Sequence, residues 1–238
     1  EIAIGKRKIP ARAYAAAYTD FAEGMHMGDV GRVLRGLQQI DGFQHQYGAE
    51  VIPSDLRMNA ELMYNRAHVF SWMMVPLLGA FVILLPLYIW NLFRNQGKRL
   101  SFRNPFYSLG VAIYVFAFAG MIFGYVLRWI ASGRAPLSNG HESLLFISLS
   151  IVLAGLLFEL AYRMAVPAGL AALLTVVVLG VSMLSVFDPA IGPLVPVLVS
   201  YWLNIHVTII TSSYGFLGLA ALIGALVLIL LMLPASRE

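Results

Sequence analysis

The residue with the most chemistry to offer is His206, near the start of a long apolar run from Pro193 to Pro234, PLVPVLVSYWLNIHVTIITSSYGFLGLAALIGALVLILLMLP. No charged side chain occurs from Tyr201 to Leu233, a stretch longer than the roughly 20 apolar residues that cross about 30 Å of hydrocarbon. An imidazole at the edge of a bilayer is costly unless it is paired, ligates a metal or reaches water. The first two readings make His206 functional and the third makes it interfacial; spacing alone leaves both open. At about 100° per residue, Trp202, His206, Ser213 and Leu217 share one helix face, and Asn204, Thr208, Thr211 and Gly215 the opposite one. Small and hydroxylated side chains allow close approach and hydrogen bonds between helices, so the second face is expected to pack and the first to carry the imidazole.

A second group of ionisable residues, Arg128, Arg134, His141 and Glu142, lies in RWIASGRAPLSNGHESLLFIS, between two apolar runs. Asn139 with Glu142 three residues on has the spacing of a capping box. Glu159 and Arg163, four apart, are expected to form a snorkelling ion pair at the other end of the same span. His26 and His45 belong to a polar segment and are expected to be solvated. His68 sits at the edge of a span, where an interfacial role is expected. Asp188 lies in a turn.

Apolar residues make up 60% of the 238 and charged residues 12%, outside the range of soluble domains. The expected fold class is all-α: a polytopic membrane protein with five transmembrane helices, at about 68–93, 105–130, 143–162, 168–186 and 201–233, behind a short helical extracytoplasmic segment. That segment, 1–66, balances its charges, whereas 67–238 holds the whole excess of +4. Arg94, Lys98, Arg99 and Arg103 fill the loop after the first span, which the positive-inside rule assigns to the cytoplasm. The N-terminal segment is then extracytoplasmic, and five crossings put Arg237 inside. Helices are expected over Asp29–Gln46 and from about Asp55, with Ser54 or Asp55 as N-cap. No basic face suited to nucleic acid appears. With no cysteine, disulfides and thiolate metal sites are excluded from this stretch. The chain opens at Glu1 with neither initiator methionine nor apolar signal segment, so a piece of a longer polypeptide is expected.

The phrases Arg128–Ser148 and Leu194–Gly215, LVPVLVSYWLNIHVTIITSSYG, resemble two signatures of the CcsA/ResC-type haem-handling proteins of system II cytochrome c biogenesis. The likeness extends over about 105–225. Gln46–Arg66, QYGAEVIPSDLRMNAELMYNR, is similar to the junction that joins a ResB-like half to the CcsA half in fused CcsBA proteins. The resemblance implies a multi-pass protein of the bacterial cytoplasmic (inner) membrane that delivers haem b outward. It also implies partnership with a ResB-like half and covalent attachment of haem to the CxxCH thiols of apocytochrome c, as part of a cytochrome c synthase system. No catalytic acid, base or nucleophile can be named. His206 occupies the position of one of two external axial ligands. The second ligand and the tryptophan-rich WWD segment are expected outside this chain, so the fragment alone should hold haem weakly or not at all. His141 stands where the family's PLSNxYES phrase has tyrosine, either adding a ligand or replacing a phenol. On this reading Trp202 flanks the ring, and Arg128 and Arg134 pair with propionates, interfacial anchoring being the alternative for both arginines. A fragment of a generic transporter and a haem-free membrane scaffold are the competing functions. The spans carry ionisable groups almost only at their ends, which disfavours the first. Polar residues cluster on one side of the membrane, which disfavours the second.

Overall fold

The computed structural model of the chain describes residues 2–4, 7–9, 11–48, 52–95, 97–192 and 200–232. The expected positions of Arg237 and of the Pro193 turn lie outside them. Two compact units divide after Asp55.

In the first unit, β1 (Ile2–Ile4) pairs antiparallel with β2 (Arg7–Ile9), Ile2 opposite Ile9. An α-helical hairpin follows, α1 (Ala11–Met27) and α2 (Val30–Gly48). The turn is set by Gly28, whose φ of 69° is left-handed and open to glycine without a Cβ penalty. Asp29 then accepts a hydrogen bond from the Arg32 backbone N–H at 3.1 Å, capping α2. Arg32 also reaches Asp20 at 3.1 Å and Glu23 at 2.6 Å on α1. The hydrogen bond to Asp20, ahead of the two carboxylates' charge, holds its guanidinium above the ordinary value. Of these elements, the helical spacing noted above predicts α2; α1 and the strand pair are additional. The spacing of Tyr14, Ala17 and Phe21 was the signal for α1, and Ala17 is wholly buried.

The second unit is a helical bundle: α3 (Asp55–Ala67), α4 (Val69–Asn95), α5 (Pro105–Ser132), α6 (Gly140–Tyr162), α7 (Val166–Ser182) and α8 (Tyr201–Met232). Asn104 caps α5 by accepting from the N–H groups of Phe106 and Tyr107 at 3.0 and 3.4 Å, Pro105 begins the helix, and left-handed Gly133 ends it. Asn139 caps α6 through the Glu142 N–H at 2.8 Å. The capping box is only half made, because the Glu142 carboxylate accepts from Ser138 N–H at 2.8 Å. α4 and α5 run antiparallel: Gly110 faces Leu84, and Gly124 faces Val69 and Phe70.

Among the described residues, α4, α5, α6 and α8 are long and apolar enough to cross a membrane. α7 is apolar but has 17 residues, and it ends at Ser182 instead of 186. Its last turn tightens, with Met183 N–H donating to Gly180 O and Leu184 N–H to Val181 O. From Ala165 to Ala172 it is buried at every position, and it packs against α4, α6 and α8. A helix apolar all round is what a bundle's interior requires.

α8 packs along Thr211, Gly215 and Leu219, all buried, at the i, i+4, i+8 spacing of one stripe. A β-carbon on Gly215 would come 3.2 Å from Ile147 O and from the Ile151 side chain of α6, so glycine there sets the close approach. Asn204, expected on this packing face, is exposed. The expected hydrogen bonds between helices are also replaced. Thr208 donates to Asn204 O at 2.7 Å and Thr211 to Val207 O at 2.6 Å; Ser213, on the other face, likewise donates to Ile210 O at 2.7 Å. A hydroxyl that can reach its own helix's carbonyl needs no neighbour.

Candidate functional site

His206 is exposed on α8, and Trp202, one turn earlier, is 76% exposed. Tyr201 meets Trp202 edge-on at 6.1 Å. His206 and Trp202 belong to the face turned away from the Gly215 contact. Because α8 runs parallel to α6 across that contact, helical rise levels the two start points. His206 lies about two and a half turns before Gly215, as His141 does before Ser150, whose Cβ would also be 3.2 Å from a Gly215 β-carbon. The chain therefore places His206 and His141 at the same end of the bundle.

At that end, α5 and α6 hold a buried ionic cluster. Arg128 and Glu142 are both fully buried. Arg128 donates from Nε and Nη2 to Glu142 Oε1 at 3.2 and 3.0 Å, and from Nη1 to Tyr64 Oη and Pro189 O at 3.2 and 3.0 Å. Its guanidinium also lies 5.4 Å from the Tyr64 ring centroid. Arg134, on the loop after α5, donates from Nη2 to Gly192 O at 2.9 Å, while its Nη1 sits 3.9 Å from Glu142 Oε2, buried and without a hydrogen-bond partner among the described residues. Both arginines thus fasten the segment between α7 and α8. The expectation of Arg128 as an outward propionate clamp meets a guanidinium enclosed in the protein, its donors engaged by Glu142, Tyr64 and Pro189.

His141 is 7% exposed, and its Nδ1 lies 2.9 Å from Ser182 O. A carbonyl only accepts, so this contact requires Nδ1 to carry the proton and leaves Nε2 as the nitrogen with a lone pair. Beside it is a cavity of about 640 Å³, lined by His141, Leu145, Phe187, Phe70, Tyr64 and His68 among others. His68 joins α3 to α4 with a φ of 43°, a left-handed conformation that costs a non-glycine residue roughly 1–2 kcal/mol.

The structure therefore gathers Arg128, Arg134, His141 and Glu142 around the start of α6, and leaves His206 and Trp202 on the open face of α8. Sequence reasoning missed Tyr64, Ser182 and Pro189, which meet the cluster only through tertiary packing. It named His68 without pairing it to His141, and no local spacing links positions so far apart. Among the described residues, no group of three or more His, Asp or Glu side chains is placed to hold a metal ion.

The opposite end of α6 carries a second buried carboxylate. Glu159 accepts from Tyr107 Oη at 2.8 Å and from the Ala165 and Ala168 N–H groups at 2.8 and 3.4 Å. The expected ion pair with Arg163 is not formed: Arg163 is the left-handed C-cap of α6, with φ 53°, and its guanidinium lies over the Phe102 ring at 5.2 Å. The i,i+4 rule requires both residues to be helical, and the turn swings Arg163 off the face.

Residues 137–233 match a family model described as Cytochrome C assembly protein. Protein NrfI of Wolinella succinogenes is 38% identical over 84% of this chain, which is 22% of NrfI's length. The cytochrome c biogenesis proteins CcsA of a Prochlorococcus marinus strain and of a Synechococcus strain are 33% and 34% identical over 67% and 63% of this chain, or 48% and 47% of their own lengths. The chain spans less than half the length of each of these three relatives. The family these matches support is that of the cytochrome c assembly proteins, over a stretch that takes in α6, α7 and α8 with both His141 and His206.

Proposed function

We propose that this chain is part of a cytochrome c maturation system that presents haem b for covalent attachment to apocytochrome c on the outer side of the bacterial cytoplasmic membrane. The observation that carries the reading is His206, an exposed imidazole at the cluster end of the bundle, within the stretch that matches the assembly family. α7 makes the fifth crossing, its 17 residues rising about 26 Å inside a sleeve of other helices. The cationic loop after α4 faces the cytoplasm, which turns the His206 end and the N-terminal unit outward. A ResB-like half is the neighbouring partner.

His206 would hold the haem iron through its exposed imidazole. Trp202 offers an apolar face one turn away. Arg134, whose side chain is 20% exposed where that of Arg128 is fully buried, is the better propionate partner; Arg128 acts by holding Glu142 and the segment that leads to α8. Bound haem brings the iron that takes the imidazole and the vinyl groups to which cysteine thiols add. The chain's own contribution is to hold and orient.

In the full-length protein, His206→Ala should lower haem attachment to a c-type reporter about tenfold or more, with partial recovery on adding imidazole. Haem staining of the reporter reads both. Undiminished attachment without imidazole would overturn the role of His206.

A further inference from the structure

We infer that the end of the bundle opposite the ionic cluster binds one anionic phospholipid, its acyl chain in a groove between α6, α7 and α8 and its phosphate at a rim of arginines. Such a site requires only that the bundle spans a bilayer, and stands apart from the haem reading. The groove has a volume of about 510 Å³ and is lined by Tyr88, Phe158, Tyr162 and Met164 and by α8 from Ala220 to Val227. Ala220, Ile223, Gly224 and Val227 fall on one face of that helix, over about 10 Å of helical rise. A β-carbon on Gly215 would crowd α6, whereas one on Gly224 would meet nothing within 4 Å among the described residues. Close packing therefore does not account for Gly224, which instead keeps the groove open.

The rim supplies the chemistry for a headgroup. Arg99 donates from Nη2 to Ala161 O at 3.0 Å, and the Leu100 N–H donates to Arg163 O at 2.8 Å. These bonds stitch the cationic loop after α4 to the turn between α6 and α7, beside Tyr162 and Met164 of the groove. Lys98, Arg99, Arg103 and Arg163 are all exposed. Among the described residues of the second unit, the carboxylate at this end is Glu159, which is buried and held by Tyr107 and two amides. No exposed anion there competes for the cations. An apolar helix of a partner would fill the groove and leave the charges uncompensated; a soluble phosphate would do the reverse. A phospholipid of negative charge meets both demands, as at other basic pockets between membrane helices, and arginine can grip its phosphate through paired N–H donors.

The test uses the full-length protein in mild detergent, titrated with phosphatidylglycerol, with phosphatidylcholine of the same acyl chains, and with glycerol phosphate, which has a headgroup and no chain. Binding is read from the dependence of the melting temperature on ligand concentration and from the phospholipid phosphorus retained per protein after washing. Phosphatidylglycerol should bind on the order of tenfold more tightly than phosphatidylcholine, and glycerol phosphate should shift nothing. Gly224→Leu fills the groove, and Arg99→Gln with Arg163→Gln removes charge from the rim. Each change should weaken phosphatidylglycerol binding on the order of tenfold; the arginine variant should also lose the preference over phosphatidylcholine. Equal binding of the two phospholipids by the unaltered protein would overturn the site. So would an equal response to glycerol phosphate, which marks a soluble-phosphate site. Full phosphatidylglycerol binding by Gly224→Leu would overturn it as well, since the groove would then be filled by another segment or play no part.

Discussion

The two buried glutamates of α6 sit at opposite ends of one helix and solve the same problem by different means. Glu142 is neutralised by charge: Arg128 binds it through two nitrogens, with Arg134 Nη1 3.9 Å away. Glu159 has no cation within pairing distance among the described residues, and is instead solvated by a phenol and two backbone N–H groups at the start of α7, where the helix dipole favours an anion. The first arrangement ties α5, α6 and the loop into α8 together. The second stabilises a turn whose backbone would otherwise be strained, since Ala165 is left-handed at φ 66° and donates its N–H to Glu159. A carboxylate held by cations fixes three chain segments around it; one held by amides fixes a single reversal.

If the ends differ in this way, the largest loss should come from Glu142→Ala, which strands the Arg128 charge in the interior at a cost of about 3–5 kcal/mol. Thermal unfolding in detergent would show it, and replacing Arg128 and Glu142 together by Met and Leu should recover most of the loss. A double variant no better than the single would mean that charge compensation is not what the cluster supplies. Glu159→Ala leaves donors rather than a charge unpaired, and should cost less, about 2–3 kcal/mol. In a Glu159→Ala/Arg163→Ala cycle the two effects should add to within about 0.5 kcal/mol, because the residues do not pair. Tyr107→Phe removes one donor from Glu159 and should cost about 1 kcal/mol, read as a small shift of the same melt. Smallest, and opposite in sign, Ala165→Gly should stabilise by up to about 1 kcal/mol through relief of the left-handed backbone. A loss there would show that methyl packing outweighs strain.

Much of this architecture was legible in the sequence because it depends on composition and short spacing. The four long spans, Asn139 as a cap and the Thr211–Gly215 stripe all follow from neighbours within a turn or two. The errors arose where a turn interrupts the helix that the spacing assumes. Arg163 leaves the face of Glu159 because it is the cap, and α7 stops at Ser182 because the chain tightens there. Tertiary meetings were illegible in a different sense. Nothing near Arg128 announces Tyr64 or Pro189, and nothing near His141 announces Ser182 or His68, since each partner arrives on another element. The hydroxyls of α8 misled for a subtler reason: a membrane helix offers them carbonyls of its own, so their presence did not require a partner helix.

The narrow seam that fastens α8 leaves a distinct imprint on which changes the chain can tolerate. A scan of all substitutions along 201–232 should show a barcode with the period of a helix turn. Dark bars should fall at Thr211, Gly215 and Leu219, where added bulk would wedge α8 from its neighbour, and pale bands between them, where one greasy residue serves as well as another. On the proposed function, His206 would appear as a dark bar out of step with that rhythm, an exposed side chain whose loss the packing of α8 does not explain.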